Sequence, residues 1–386
     1  MWNIILLGLV SLFTDISSEM VYPLVPLYLI NSLGATPAIV GIIEGIAESL
    51  ASLLKVFSGA LSDKSQKRKP LAILGYIFSG FSKLLMILAL SWQWVLWSRI
   101  GDRFGKGVRT APRDALIAES ANPKKMGYSF GLHRMLDTLG AVIGVMLAYF
   151  LFTNFKGDYK SVFIWALVPA ILGMLMLFPV REKNDKDINF KKQPLFNWSS
   201  INPCLKKFLL VVFLFALGNS SNQFLLLRAS NLGFSTQKVI LLYLVFNIVY
   251  ALVAFPAGAF SDRIGRRKLL VAGYIFYGFV YLGFALASEV YLWPLFGLYG
   301  VYNAATEGVE KALVAEFAPE EQKATLLGMH ATLVGIGLLP ASLIAGLLWK
   351  YFGASATFYF GGMMGLLAAF GLAMVLSDEK PKNRII

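Results

Sequence analysis

Apolar runs of about twenty residues alternate with short polar segments twelve times along this chain. The runs begin near Ile4, Pro37, Leu71, Trp92, Tyr128 and Val162, and then near Phe208, Gln237, Leu269, Val290, Ala324 and Thr357. About 20 mostly apolar residues of helix cross a hydrocarbon core about 30 Å thick. The pattern therefore predicts an all-α membrane protein with twelve transmembrane helices. The first run lacks a basic leader and a small-residue cleavage site, and Asp15 interrupts it. It reads as the first permanent span and not as a removed signal peptide.

Composition strengthens this picture. Of 386 residues, 57% are hydrophobic and 15% charged, against about 25% charged in ordinary soluble domains; the mean hydropathy is +0.65. The net charge of +13 arises largely in particular loops. Lys64, Lys67, Arg68 and Lys69 follow run two, and Lys124 and Lys125 follow run four. Arg181, Lys183, Lys186, Lys191 and Lys192 follow run six, and Arg263, Arg266, Arg267 and Lys268 run eight, whereas the loops after runs one and three carry no Lys or Arg. The positive-inside rule then puts both termini in the cytoplasm, in a multi-pass protein of the cytoplasmic (inner) membrane. This placement accounts for the positive charge without a nucleic-acid partner. The lone Cys204 excludes an internal disulfide. Two histidines, His133 and His330, do not make a metal site with it, and no cofactor is expected.

An internal repeat divides the chain. Gly75-Tyr76-Ile77-Phe78-Ser79-Gly80-Phe81 recurs as Gly273-Tyr274-Ile275-Phe276-Tyr277-Gly278-Phe279, and Gly59-Ala60-Leu61-Ser62-Asp63-Lys64 as Gly258-Ala259-Phe260-Ser261-Asp262-Arg263. Ala115-Leu116-Ile117-Ala118-Glu119 matches Ala312-Leu313-Val314-Ala315-Glu316, and Gly131-Leu132-His133 matches Gly328-Met329-His330. The expected organisation is two pseudo-symmetric six-helix bundles, residues 1–181 and 208–386, joined by a cytoplasmic central loop, 182–207.

With twelve spans, that central loop and a repeated loop signature, the whole chain resembles the major facilitator superfamily. The family's loop motif is satisfied by Gly258, Asp262, Arg263, Gly265, Arg266 and Arg267. Its first copy keeps Gly59, Asp63, Lys64, Lys67 and Arg68 but has Gln66 where Gly is usual. The resemblance implies a transporter whose loops latch the halves on the cytoplasmic side, with Asp63, Arg68, Asp262, Arg266 and Arg267 in gating roles. In span four, Arg99 and Gly105 fit the antiporter-associated second signature, but Asp102 stands where Gln is common and Arg103 where Gly is. Span five has Gly140 and Gly144 without that family's Gly-Pro pair.

Charge inside a span is costly and points to function. Arg99, Asp102, Arg103, Lys106, Arg109 and Arg113 share one face of span four, and must meet a watery cavity or partner carboxylates. Asp15 and Glu19 in span one, Glu44 and Glu48 in span two, and Asp137 in span five supply such carboxylates; with Asp102 they form the expected proton-coupling and cavity set. Arg99, Arg103 and Lys106 are the expected cationic substrate contacts. The second half is milder: Asn219, Asn222 and Gln223 in span seven, Tyr243 and Asn247 in span eight, and Asn303 and Glu307 in span ten complete the substrate set. Glu307 and Glu310 are expected to pair with Lys311 or to act in transport, and the histidines to be helix-end or gate residues.

Together these features predict a secondary transporter working by alternating access. Proton-coupled export of a small organic compound, drug-like or of a chelator-type metabolite, is the first expectation. Transport of an anionic metabolite, from the basic surplus on span four, is the alternative. The partners expected are a small-molecule substrate, protons and the lipid bilayer, with the protein a monomer. A receptor or scaffold on the same fold would carry an added soluble domain or a degraded cavity; the short ends and polar spans weigh against it. The chain shows no nucleotide-binding loop or nucleophile constellation that would suit an ATP-driven pump or a membrane enzyme.

Overall fold

In a segment surrounded by lipid, backbone N–H and C=O groups must be satisfied internally, which favours uninterrupted helices. A computed structural model describes residues 2–65, 67–121, 126–182, 201–318 and 323–377, and within them fifteen α-helices form twelve crossings, three of them split in two. Span one is α1 (Trp2–Val21) and α2 (Val25–Asn31), followed by α3 (Pro37–Ser65), α4 (Arg68–Ile87), α5 (Trp92–Ser120) and α6 (Met126–Asn154). Span six is α7 (Tyr159–Trp165) and α8 (Leu167–Leu177). Span seven is α9 (Pro203–Gly218) and α10 (Gln223–Asn231), and α11 (Thr236–Ile264), α12 (Arg266–Leu286), α13 (Leu292–Phe317), α14 (Lys323–Phe352) and α15 (Ala354–Ser377) complete the chain.

The splits have local causes. Pro26, in the first turn of α2, and Pro169, early in α8, offer no N–H to the preceding turn. Between α9 and α10, Asn219 leaves helical geometry at φ −93°, ψ 79°. Gly265 opens α12 at φ +99°, a conformation that suits glycine, which explains that position of the loop motif. Its counterpart Gln66 lies outside the described residues, as does 183–200 of the expected central loop. Helix α9 begins at Pro203, capped by the Asn202 side chain on the Cys204 N–H at 2.8 Å, inside the stretch read as linker.

Among the described residues, nine of the crossings are long and apolar enough to span a membrane by length and composition. The other three are α3, α5 and α13, which carry Glu44 and Glu48, the span-four charges, and Glu307 with Glu310 and Lys311. Within the first six crossings α1 packs on α6 and α8, and α5 on α3 and α4; within the last six, α12 packs on α13 and α15, α11 on α13, and α9 on α14 and α15. The two groups meet along α3–α14 and α6–α11.

Asn3 bonds to Ser120 and to the Arg181 backbone, so the start of α1, the end of α5 and the exit of α8 share one end of the bundle, called here the terminal end. At the opposite, far end α2 touches α10, and Tyr159 Oη lies 3.1 Å from Thr236 Oγ1 across the halves. The α3–α14 seam brings backbones together through glycine. A Cβ on Gly45 would lie 3.0 Å from Leu339 Cα, and one on Gly346 2.7 Å from Ala38 Cα. Ser49 donates to the Gly335 carbonyl at 2.7 Å in the same seam.

Overpacking a close contact costs about 1–3 kcal/mol. Gly45→Leu and Gly346→Leu are each expected to destabilise the protein by that amount, seen as a lower thermal midpoint of purified protein in detergent. Gly131→Ala, with nothing within 4 Å of the added carbon, should leave the midpoint unchanged or raised.

Candidate functional site

The charged face of α5 is reached by close approach on two sides. A Cβ on Gly75 of α4 would lie 2.6 Å from the Gly105 carbonyl, and one on Gly107 2.9 Å from the Ala51 carbonyl of α3. These contacts leave Arg99, Asp102, Arg103 and Arg109 buried between neighbouring helices, while Lys106 remains exposed. Arg99 grips the fully buried Glu44 with two hydrogen bonds, Nε to Oε1 at 2.7 Å and Nη2 to Oε2 at 3.0 Å. Arg103 reaches Glu48 at 2.7 Å, and both arginines lie 3.8 Å from Asp102 Oδ2. Ser79 donates to Asp102 Oδ1 at 2.8 Å and receives Arg109 Nη1 at 2.5 Å. Of the two environments expected for this face, Arg99 and Arg103 meet partner carboxylates, and Arg113 lines a cavity.

A second group forms around α1 and α6. Gly140 and Gly144 let α6 lie against α1 at Asp15 and Glu19: added Cβ atoms would meet Asp15 Cβ at 3.2 Å and Glu19 Cβ at 3.0 Å. The Asp15 and Asp137 carboxyl groups face each other within hydrogen-bonding reach. Ser11 donates to Asp137 at 2.5 Å, and Arg134 lies 3.6 Å from it. One turn on from Asp15, Glu19 accepts from Tyr243 Oη at 2.9 Å, a bond between the two halves. The Lys106 ammonium lies within electrostatic reach of Asp15, Glu19 and Glu48 and makes no side-chain hydrogen bond or ion pair among the described residues.

Beside this group lies a cavity of about 650 Å³ lined from α5, α6, α11, α12 and α13, running toward the terminal end where Arg266 opens α12. Arg113, Asp114, His133, Arg134 and Asp137 line it from the first half, and Tyr250, Glu307 and Lys311 from the second. Arg134 crosses it, donating to Tyr250 Oη at 2.6 Å and lying 3.4 Å from Glu307. Tyr250 donates to Glu307 at 2.7 Å, and Lys311 pairs with Glu307 at 3.1 Å.

Glu310 turns elsewhere. It accepts from Tyr274 Oη at 3.0 Å and lies 3.3 Å from His330 Nε2, so the expected pairing with Lys311 holds for Glu307 alone. The span-seven amides sit at the α9–α10 break. Asn222 accepts from Tyr299 at 2.7 Å, whereas Asn219 Oδ1 and both amide atoms of the fully buried Gln223 have no hydrogen-bond partner among the described residues. Asn247 donates to the Tyr243 carbonyl of its own helix at 2.9 Å, and Asn303 is half-buried on α13.

Among the described residues, the three gating arginines each make contacts within their own half. Arg68 contacts Glu119, and its N–H donates to Glu182 at 2.5 Å; Arg266 lies 3.5 Å from Glu316, and Arg267 stacks 5.1 Å from the Phe317 ring centre. Glu119 and Glu316 are the repeated acids that end the Ala-Leu-x-Ala-Glu matches. The side chains of Asp63 and Asp262 lie outside the described residues.

Several polar residues of this region went unremarked in the sequence. Arg134 is one turn from the singled-out Asp137, a spacing that could have flagged it. Lys83 of α4 is buried and donates to Ser17 at 2.5 Å, and Lys55 of α3 lies within reach of Glu48, Lys106 and Lys311. Tyr22 lies under Arg99 at 5.7 Å and against Tyr243 at 5.5 Å.

Comparison with known proteins places this geometry. The family model of the Major Facilitator Superfamily matches residues 7–227 and again 208–385. An uncharacterized MFS-type transporter of Methanocaldococcus jannaschii is 38% identical over 383 residues, covering 97% of this chain and 94% of its own length. A stretch of 132 residues, 34% of this chain, is 33% identical to the multidrug resistance protein MdtH of Proteus mirabilis and covers 32% of it. The crystal structure of the nucleoside transporter NupG superposes with a TM-score of 0.78 at 12% identity, covering 97% of this chain and 99% of that one.

Removing one partner of a buried ion pair costs about 3–5 kcal/mol, whereas apolar replacement of both is often neutral. Glu44→Ala should therefore lower the thermal midpoint of purified protein sharply, and Glu44→Leu with Arg99→Met should recover most of the loss. Glu307→Gln, in a pair whose side chains are 42% and 55% exposed, should change stability by less than about 1 kcal/mol.

Proposed function

The chain belongs to the Major Facilitator Superfamily, and from that premise we propose that it is a proton-coupled exporter of a small organic compound working by alternating access. The observation that carries the coupling is the Asp15–Asp137 carboxyl pair beside the cavity. Two carboxyl groups in hydrogen-bond contact share a proton, because two adjacent carboxylates repel. Ser11 and Arg134 stabilise the form in which Asp137 carries the negative charge. A proton gained or lost here changes the charge that Arg134 faces, and Arg134 also holds Tyr250 and Glu307 of the other half. Protonation at this pair is thereby linked to a contact between halves.

In this reading the terminal end is cytoplasmic, as the basic loops suggest, and the protein lies in the cytoplasmic membrane with both termini inside. The cavity admits the compound from that side while the far end is closed by α2–α10 and Tyr159–Thr236. Lys106, Tyr243 and the amides of Asn219 and Gln223, which hold buried atoms without hydrogen-bond partners among the described residues, are the groups of mixed character that would meet it as the halves move. Asn222, Asn247, Asn303 and Glu307 complete the second-half wall, and Arg99 and Arg103 orient the acids behind Lys106. Export draws support from the partial likeness to the multidrug resistance protein MdtH. A second reading, transport of an anionic metabolite, is favoured by Lys106, which reaches the interior without a direct counter-ion among the described residues.

A thermal-stabilisation screen of purified protein across cationic, neutral and anionic compounds should yield a ligand and separate the two readings by its charge. In proteoliposomes that ligand should move faster under an imposed pH gradient. Asp15→Asn and Asp137→Asn should abolish the gradient response while exchange of ligand for ligand persists. Equal wild-type rates with and without the gradient would sink the proton coupling.

A further inference from the structure

The duplication sets three pairs of positions in register. The repeat that contains Gly75 and Gly273 places Tyr76 on Tyr274, the Ala115–Glu119 match places Arg113 on Glu310, and His133 falls on His330. Both triples are assembled in space. In the first half, Arg113 lies within electrostatic reach of both Tyr76 and His133. In the second, Glu310 accepts from Tyr274 Oη at 3.0 Å and faces His330 Nε2 at 3.3 Å. The architecture is repeated, and the central charge is inverted.

The inversion leaves the two triples differently compensated. Arg113 has a counter-ion beside it, Asp114 at 2.9 Å. The residue matched to Asp114 is Lys311, which is committed to Glu307 at 3.1 Å. Glu310 therefore contacts a phenol and an imidazole, and neither Lys nor Arg touches it among the described residues. Its side chain is 13% exposed, and that of His330 5%. Neither ring nitrogen of His330 is engaged in a well-formed hydrogen bond. From the elements around it, Tyr302 of α13 lies within electrostatic reach of Glu310, the Glu307–Lys311 pair lies one turn and one residue away on the same helix, and Phe215 of α9 stacks on Tyr274 at 3.9 Å.

A buried carboxylate without a cation is costly, and a single proton shared with a buried imidazole removes the net charge wherever it resides. We propose that Glu310, His330 and Tyr274 form a second proton-holding site, in the second half and separate from the Asp15–Asp137 pair. The site holds one proton between the Glu310 carboxyl and His330 Nε2, with the Tyr274 hydroxyl fixing the carboxyl in place. It deepens the proton-coupled reading, on which its part in transport rests, by giving each half its own proton.

With two histidines in the chain, nitrogen-15 histidine labelling of the full protein in detergent yields two imidazole signals, assigned by His133→Gln and His330→Gln. In Glu310→Gln the His330 titration should move by at least one pH unit, a tenfold change in proton affinity, while His133 stays in place. Proton uptake read with a pH dye, between about pH 4 and 10, should fall by one proton in the Glu310→Gln, His330→Gln double variant and persist in Glu310→Asp. An unmoved His330 curve together with a wild-type proton count in the double variant would overturn the proposal. The first-half pair is read separately in Asp15→Asn. If that variant keeps the wild-type count while the double variant loses a proton, the coupling role of Asp15 falls and the second site stands.

Discussion

An arginine in the middle of a membrane-spanning bundle needs a counter-charge, because neither lipid nor packed side chains can solvate it. The Arg99–Glu44 pair, with Arg103–Glu48 one turn on, meets that need in this protein and dictates much else. The pairs require α5 to lie directly on α3, and Gly107 makes the approach possible from one side as Gly105 does against α4. Helix α3 is in turn the first half's partner in the α3–α14 seam. The densest ionic cluster of the first half is thus built onto a helix that also forms the boundary between halves. Rearrangement at that boundary cannot leave the charged interior untouched.

How much of this was legible in the sequence depends on what the sequence encodes. Helix starts at Pro37 and Trp92 fall where the apolar runs begin, because a bilayer imposes one length on every crossing. The Asp15–Glu19 and Glu44–Glu48 spacings mark faces that meet α6 and α5 in the structure. A spacing of four names a face, however, and not the neighbour that will occupy it. Glu310 shows the limit: Lys311 is the obvious partner in sequence, yet adjacent residues on a helix point about 100° apart, and Glu310 turns to α12 and α14 instead. Arg134 and Lys83 escaped because a single cation near the end of an apolar run reads as a snorkelling residue. Only the fold shows that Arg134 reaches across to α11 and α13, and that Lys83 is buried against Ser17.

The duplication explains why the halves share a frame and differ in substance. Glycines, loop signature, tyrosine and histidine recur in register, so the backbone paths are related. The interior of the second half is filled by rings: Tyr274, Tyr277, Tyr281 and Tyr299 are fully buried, and Phe215 stacks on the first of them. Rings fill volume and bring one hydroxyl each, which suits a half whose few acids accept from tyrosine. Tyr274 serves Glu310, Tyr250 serves Glu307, and Tyr243 serves Glu19 across the interface. These buried rings are core, and the hydroxyl tips of Tyr243 and Tyr250 are what approach the first half's charges.

Those tips place the boundary between halves under two kinds of constraint. The α3–α14 seam is held by backbone proximity, which is short-ranged and insensitive to charge. Glu19–Tyr243 and Arg134–Glu307 are polar and each has one partner in either half. A rocking motion about the seam would preserve the first kind of contact while exchanging the second. On the proposed mechanism, a proton at Asp15–Asp137 acts on Arg134 directly and on Glu19 one turn away, while the tight seam keeps the halves in register. The glycines that make the seam and the acids that face the cavity are then two parts of one device: the first fixes where the halves can pivot, and the second determines which polar contacts are stable on either side of the pivot.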